Sequence, residues 1–253
     1  MPSDLELLAI EIDTLWLKDD RGRLLKSQNA QARPAPYVLA GVSTEGWTLA
    51  FGSDVPDAVV EELQAAFDAE PPAADPSKPP ALFARCKQLL ESALGEVESS
   101  GGPSYVVPPE TSFESGAALL RSDDEHKERL RTQDLERLNW TAEEWRHLVR
   151  GDLGPWAFIM NGDRVVSICH TARLTERGAE AGVWTDPDVR GRGYAAAATA
   201  AWASLFAPGD RHLFYSTGAD NLSSQRVAAR LNLPLIGWIW RLSSHEPGVA
   251  GAT

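Results

Sequence analysis

The stretch Thr185-Asp186-Pro187-Asp188-Val189-Arg190-Gly191-Arg192-Gly193-Tyr194-Ala195 limits what this chain can fold into more than any other. A short β-like run, Glu180 to Thr185, leads into it, and an alanine-rich helical run, Tyr194 to Phe206, leads out. Gly191 and Gly193 permit positive φ and carry no Cβ, so an oxygen-bearing ligand can approach the backbone there. The first N–H groups of the following helix have no intrahelical partners. They sit at the positive end of the helix dipole, equivalent to roughly half a unit charge. Arg190 and Arg192 add fixed positive charge. Together these features predict a phosphate or pyrophosphate site. A tight turn with solvated arginines is the plainer alternative. The loop has no Gly-Lys-Ser/Thr, so it is not a P-loop, and position 196 is Ala, so the three-glycine dinucleotide fingerprint is absent.

Length and charge bound the rest. The 253 residues suffice for one large domain or two small ones. The net charge of −12 argues against a general nucleic-acid binder. Residues 151–253 hold nine Arg, no Lys and nine acids, so all the excess acid falls before residue 151. An anionic ligand is therefore better received in the last two fifths. Two cysteines, Cys86 and Cys169, cannot make a disulfide framework or a four-thiolate metal site, and no metal is expected. No basic n-region or apolar h-region opens the sequence, and no run reaches the roughly 20 strongly apolar residues of a membrane span. The expectation is a soluble, cytoplasmic protein with no membrane partner.

Along the chain, two Pro/Gly/Ser-rich stretches, Glu70 to Pro80 and Ser99 to Pro109, read as loops or linkers. The expected division is an N-terminal α+β region over 1–98, a linker with first elements over 99–120, and a main domain over 121–253. Before the first linker the chain reads as strands followed by a helix. Leu5 to Leu17 mixes Ile, Leu and Trp with acids, Asp20-Arg21-Gly22 is a turn, and Tyr37 to Val42 pairs with Trp47 to Phe51. Asp54 is a candidate cap for a helix through Val59, Leu63 and Phe67. Leu82, Phe83, Leu89, Leu90 and Leu94 suggest a second helix. Ser122 to Arg131 is densely charged and reads as a solvated helical face or a loop. Thr141 and Glu144 form a capping-box pattern ahead of Trp145, Leu148 and Val149. Trp156 to Met160 and Arg164 to Leu174 flank Asn161-Gly162-Asp163, a hairpin signal. After the glycine-arginine loop and its helix come a strand (His212 to Thr217), a helix (Leu222 to Leu231) and a last strand (Leu235 to Leu242). This order predicts a mixed sheet with packed helices, an α/β (α+β) protein.

Arg190-Gly191-Arg192-Gly193-Tyr194-Ala195 resembles the Gln/Arg-x-x-Gly-x-Gly/Ala signature of the GNAT superfamily of acetyl-CoA-dependent N-acetyltransferases. Val183-Trp184-Thr185-Asp186-Pro187 resembles the strand that enters that signature. Ala219-Asp220-Asn221-Leu222-Ser223-Ser224 with Arg230-Leu231 resembles the family's second landmark, where an Asn starts the helix after the next strand. The resemblance covers residues 140–242. It implies the GNAT fold: a mixed, mostly antiparallel sheet with splayed central parallel strands and flanking helices, here with an N-terminal α+β extension. It implies acetyl-CoA as the cofactor, its pyrophosphate on Arg190, Gly191, Arg192, Gly193, Tyr194 and Ala195. Its pantetheine arm would lie along the backbone of Val183, Trp184 and Thr185, with Asn221 and Ser224 beside it. The implied reaction is acetyl transfer to a primary amine by direct attack in a ternary complex, with a small-molecule acceptor and no nucleic acid.

Amide formation needs an amine freed of its proton, a stabilised carbonyl oxygen and a leaving thiolate. Holding amine and thioester together supplies much of the rate. The tyrosine acid frequent in the family would fall at position 228, which is Ala. Tyr215, on the preceding strand, is the substitute candidate; the thiolate can also leave without an acid. Glu180 is the first candidate base, against a solvated charge at a strand end. His170 is second, sharing a strand face with Val166 and Ile168 by alternation, against a core histidine. Cys169 and His170 are strand neighbours on opposite faces and cannot form a dyad. Asp186 and Asp188 shape the turn. Arg226 and Arg230 either reach a phosphate or are solvated. Trp238 and Trp240 share one strand face. Two further readings stay open: a non-catalytic acyl-CoA sensor with the same fold, or another phosphate ligand such as a nucleotide. The acidic N-terminal region suits a cationic acceptor, and an exposed sheet edge there could pair two copies into a homodimer.

Overall fold

The computed structural model describes residues 2–28, 33–69, 71–125, 130, 133–138, 140–209 and 211–244. In chain order the elements are α1 (Asp4–Leu15), β1 (Trp16–Lys18), β2 (Leu24–Ser27), β3 (Val38–Ser43), β4 (Gly46–Phe51), α2 (Asp57–Asp68), α3 (Phe83–Leu94), β5 (Val97–Val106) and β6 (Ala118–Arg121). There follow α4 (Leu135–Leu138), α5 (Ala142–Arg150), β7 (Trp156–Asn161), β8 (Arg164–Leu174), β9 (Gly178–Thr185), α6 (Tyr194–Ala203), β10 (His212–Ser216), α7 (Leu222–Arg230) and β11 (Leu235–Ser244). They group into two compact units. One takes the described residues of 2–105, 216–222 and 235–244; the other takes those of 106–215 and 223–234. The charged stretch 122–131 is described only in part: residues 126–129 and 131 lie outside the described residues.

The first unit carries strands in the order β4-β3-β11-β5, all antiparallel, with β1 and β2 as a separate hairpin. Its start departs from the strands expected there. Residues 4–15 form a helix, because Ser3 and Glu6 close a capping box at its N-terminus. Ser3 Oγ accepts from the Glu6 N–H at 3.2 Å and Glu6 Oε2 accepts from the Ser3 N–H at 2.8 Å. Leu8 and Ile12 then fall one turn apart on the buried side. Asp54 does not cap α2; Pro56 occupies that position with no side-chain cap, as suits a residue lacking an N–H. Phe67, Phe83, Cys86 and Leu90 of α2 and α3 pack with Val38, Val42, Trp240 and Leu242 in one core.

The larger correction is β5. Residues 97–106 are a strand, not a linker, and pair with β11 from Tyr105 to Val97. Their small residues answer to close neighbours. A Cβ on Gly101 would lie 2.4 Å from the Trp240 ring, and one on Gly102 would lie 1.8 Å from the Thr217 carbonyl oxygen. Buried Ser104 donates its hydroxyl to the carboxylate of buried Glu11. Trp240 donates Nε1–H to the Pro76 carbonyl at 3.0 Å and stacks on Trp238, centroids 5.6 Å apart.

The second unit has the strand order β10-β9-β8-β7-β6. The Asn161-Gly162 turn joins β7 to β8 with positive φ at Gly162, as read from the sequence. Alanine-rich α6 lies against β7, β8 and β9, and its small side chains allow close approach. Its buried Trp202 donates Nε1–H to Thr171 Oγ1 at 3.0 Å. Helix α5 begins with the expected Thr141/Glu144 box and ends at Gly151 in the left-handed region. Trp145 and Leu148 pack in a core with Trp156, Phe158 and Ile168.

A methyl group at position 102 has no room beside a backbone oxygen, and backbone yields less than a side-chain tip. Gly102→Ala is expected to cost about 3 kcal/mol of stability. Urea unfolding followed by tryptophan fluorescence reads this as a lowered midpoint. An unchanged midpoint would refute the close approach.

Candidate functional site

β9 is paired unequally on its two sides. Toward β8 the antiparallel register runs from Ala179 to Thr185. Toward β10 the parallel register holds only at Gly178, Ala179 and Glu180, opposite His212, Leu213 and Phe214. Both strands continue past this point, so they separate. Just beyond β9, the Asp186 N–H donates to the Val166 carbonyl at 3.0 Å. Alternation therefore turns the main-chain groups of Trp184 toward β8 and those of Val183 and Thr185 away from it. Two of the three backbone candidates thus line the opened edge, and Trp184 does not. Its carbonyl accepts from Ser167 Oγ at 3.1 Å.

The chain leaves β9 through a 3-10 turn, Pro187–Val189, capped by Asp186, whose carboxylate accepts from the Asp188 N–H at 3.0 Å. Asp186 is fully buried. Arg137 of α4 grips it in a fork, Nε to Oδ2 at 2.7 Å and Nη2 to Oδ1 at 2.6 Å. Arg164 Nη2 lies 3.4 Å from Oδ2. Arg137 also reaches Asp188. The Arg137 hydrogen bonds, foremost, hold the Asp186 carboxyl down to about 2.

Gly191 and Gly193 then take φ of 81° and 83°, the left-handed values the sequence anticipated. Open space lies where a Gly191 Cβ would be. Gly193 is the N-cap of α6 and supplies no side-chain acceptor to the helix's first N–H groups. Arg190, Gly191 and Arg192 are exposed, while Tyr194 and Ala195 are half-buried. Arg190 Nε donates to the Thr185 carbonyl at 3.4 Å. At the Cβ position of Gly193 the nearest neighbours are the Phe113 ring, at 2.9 Å, and Arg230 Nη1, at 3.2 Å. The residues fit a diphosphate: free N–H donors at a helix start, arginines close by, and backbone bared by glycine.

Glu180 is buried, 3% exposed, at the last position where β9 pairs with β10. A solvated charge at a strand end is thereby excluded. His170 faces Gly182 across the β8–β9 pair and packs edge-on to Trp140, centroids 5.1 Å apart. Its Nδ1 is buried without a hydrogen-bond partner among the described residues. Burial, with Arg173 nearby and the Thr171 backbone opposing, takes its pKa down to about 4. Tyr215, near the end of β10, shares a 2.6 Å hydrogen bond with Ser224 Oγ of α7. Ala228, at the expected tyrosine position, is fully buried. Burial pushes the Cys169 thiol up, away from thiolate chemistry. Asn221 belongs to the other unit, in the turn before α7, where its N–H donates to the Gly218 carbonyl at 3.1 Å. The sequence reading missed Arg137 and Phe113. Arg137 is 49 positions from Asp186 and Phe113 is 80 from Gly193, so no local pattern marks either.

Residues 108–233 match the family model described as the acetyltransferase (GNAT) domain, and this part of the chain is a GNAT domain. A GCN5-related N-acetyltransferase from Kribbella flavida is 15% identical, with a TM-score of 0.51 over 98% of this chain and 97% of that one. A GCN5-related N-acetyltransferase-like protein from Streptococcus suis is 18% identical, with a TM-score of 0.43 over 82% and 84%. A GNAT acetyltransferase from Colwellia psychrerythraea is 12% identical, with a TM-score of 0.45 over 81% and 80%. No curated protein matches the chain. The fold is the GNAT fold, α+β with a mostly antiparallel sheet, and the domain is a transferase domain. No helix among the described residues is long and apolar enough to cross a membrane.

The depressed Asp186 pKa fixes a sign. The carboxyl holds its proton less tightly folded than at its ordinary value of 3.8, so its stabilisation is whole above about pH 4 and fades as pH falls toward 2. Asp186→Asn is expected to lower Tm at pH 7 by several degrees. The gap from the native protein should narrow between pH 4 and pH 2 in thermal melts.

Proposed function

We propose that the chain is an acetyl-CoA-dependent N-acetyltransferase acting on the primary amine of a small acceptor. The observation that carries this reading is the joint between β9 and α6. A strand edge released from its parallel neighbour runs directly into a glycine turn and a bare helix N-terminus. Such an edge can pair with an amide-bearing arm as with a strand, and the turn can take the phosphates at the arm's end.

In this reading the N–H groups from Gly191 to Ala195 hold the diphosphate, with Arg190, Arg192 and Arg230 supplying countercharge. The main chain of Val183 and Thr185 pairs with the pantetheine arm, and acetyl-CoA supplies an activated acyl group on sulfur. Glu180, on the same strand at the point of separation, takes the proton from the attacking amine, directly or through a water. His170, with its low pKa, is neutral at pH 7 and too weak a base for that task; it accepts a hydrogen bond from the acceptor. The Tyr215 hydroxyl, aligned by Ser224, delivers a proton to the departing sulfur. Much of the rate comes from holding the amine against the thioester.

The alternative is an acyl-CoA sensor without turnover. The observation that favours it is Ala228, buried where the frequent acid would stand.

Free-thiol release from acetyl-CoA, measured against a library of primary amines, separates the two. Turnover with at least one amine is expected; tight binding without turnover on any amine supports the sensor. Glu180→Gln should lower kcat about 100-fold with little change in acetyl-CoA affinity. Reversing charge at Arg190 and Arg192 together should weaken acetyl-CoA binding at least tenfold by calorimetry. Unchanged affinity in that double variant would remove the basis of the assignment.

A further inference from the structure

We infer that Arg137 is a positioning residue for the diphosphate-binding loop, acting through Asp186. This rests on the acetyl-CoA reading of the loop given above.

The loop has two fixed points. Downstream is Gly193, backed by Phe113 and Arg230. Upstream is Asp186, whose N–H is held by the Val166 carbonyl. Between them Arg190, Gly191 and Arg192 are exposed, and a Gly191 Cβ would meet nothing within 4 Å. Between them Val189 is also buried, so the direction of the exposed loop's N–H groups is set by that side chain and by the two ends. At the upstream end the buried Asp186 carboxylate accepts from Arg137 and the Asp188 N–H, with Arg164 Nη2 3.4 Å away as a further cation. Arg137 alone meets it with two donors in a plane, a geometry that fixes angle as well as distance.

The backbone that carries Arg137 is itself anchored. Asp134 Oδ1 accepts from the Arg137 N–H at 3.1 Å, and Leu138 is buried one residue on. Gln133 fastens the same segment to the β7–β8 hairpin, donating to the Asp163 carbonyl at 2.7 Å and accepting from the Val165 N–H at 2.8 Å. Arg137 thus transmits the position of a pinned segment to the loop. It has a second effect. Asp186 and Asp188 place two carboxylates beside a site for a polyanion, and Arg137 contacts both. Removing it takes away the cation the two carboxylates share and leaves Asp186 with Arg164 alone at 3.4 Å.

The experiment uses the full chain with Arg137→Gln and Arg137→Lys, and acetyl-CoA as the probe. Arg137→Gln should raise the acetyl-CoA Kd and KM about tenfold while kcat stays within about twofold. Arg137→Lys, with charge but no fork, should fall between native and Gln. Added guanidinium should recover part of the Gln variant's affinity and none of the Lys variant's. Native affinity in the Gln variant, or a fall in kcat with unchanged KM, overturns the inference. Amide exchange in ligand-free protein gives an independent reading. Residues 188–193 should exchange faster in the Gln variant while the body of α6 is unchanged, and equal exchange in the loop also overturns it. If the native protein does not bind acetyl-CoA, the acetyl-transfer reading falls, and the exchange rates still decide whether Arg137 orders the loop. Should Arg137→Gln not fold, Arg137→Lys decides by the same two measurements.

Discussion

A parallel strand pair that stops early is the constraint on which the candidate site depends. Backbone N–H and C=O groups must find partners, and a strand that leaves its neighbour after Glu180 has polar groups to satisfy on that side. The end of β9 is followed within eight residues by two glycines at positive φ and a helix whose N-cap offers no side-chain acceptor. The same run of residues thus presents backbone N–H groups first along a strand edge and then around a turn. An elongated ligand with amides in its arm and phosphates at its end answers both demands at once. The surrounding unit keeps this arrangement in place: α6 is alanine-rich and sits close to the sheet, and the buried Asp186 carboxylate is locked by Arg137 from the surface.

The electrostatics divide the labour. Acid excess lies before residue 151, while the region of the loop is close to neutral in sequence and carries its arginines at the surface. Inside, the titratable groups are held in unlike states. Asp186 is kept ionised by Arg137, His170 is kept neutral by burial, and Cys169 is kept as a thiol. A buried carboxylate at Glu180 and a neutral imidazole on the adjacent strand are two polar groups of different character on one sheet face.

What could be read from sequence follows the range of the interactions involved. Hairpin β7–β8, the capping box of α5 and the glycine turn are local, and each is written in neighbouring residues. Helix α1 was harder because Leu5 to Ile12 satisfies both a two-residue and a helical period; only the Ser3/Glu6 box breaks the tie. β5 was opaque for a different reason. Gly101, Gly102 and Ser104 look like linker composition, yet each is dictated by a partner far along the chain: an indole, a carbonyl oxygen and a carboxylate. Arg137 and Asp186 are 49 positions apart, so no spacing rule joins them. The candidate loop was legible; the residue that aims it was not.

The place of β11 has a consequence for how the protein is made. It lies between β3 and β5, and Arg241 bonds Ser100 across 141 positions of chain. The unit that opens the sequence is therefore completed by a segment synthesised after the entire GNAT domain has been translated. Until that segment emerges, the facing edges of β3 and β5 have no occupant between them, and such edges are templates for mispairing. Vectorial synthesis here favours an order in which the second unit assembles first and the beginning of the chain waits for its end.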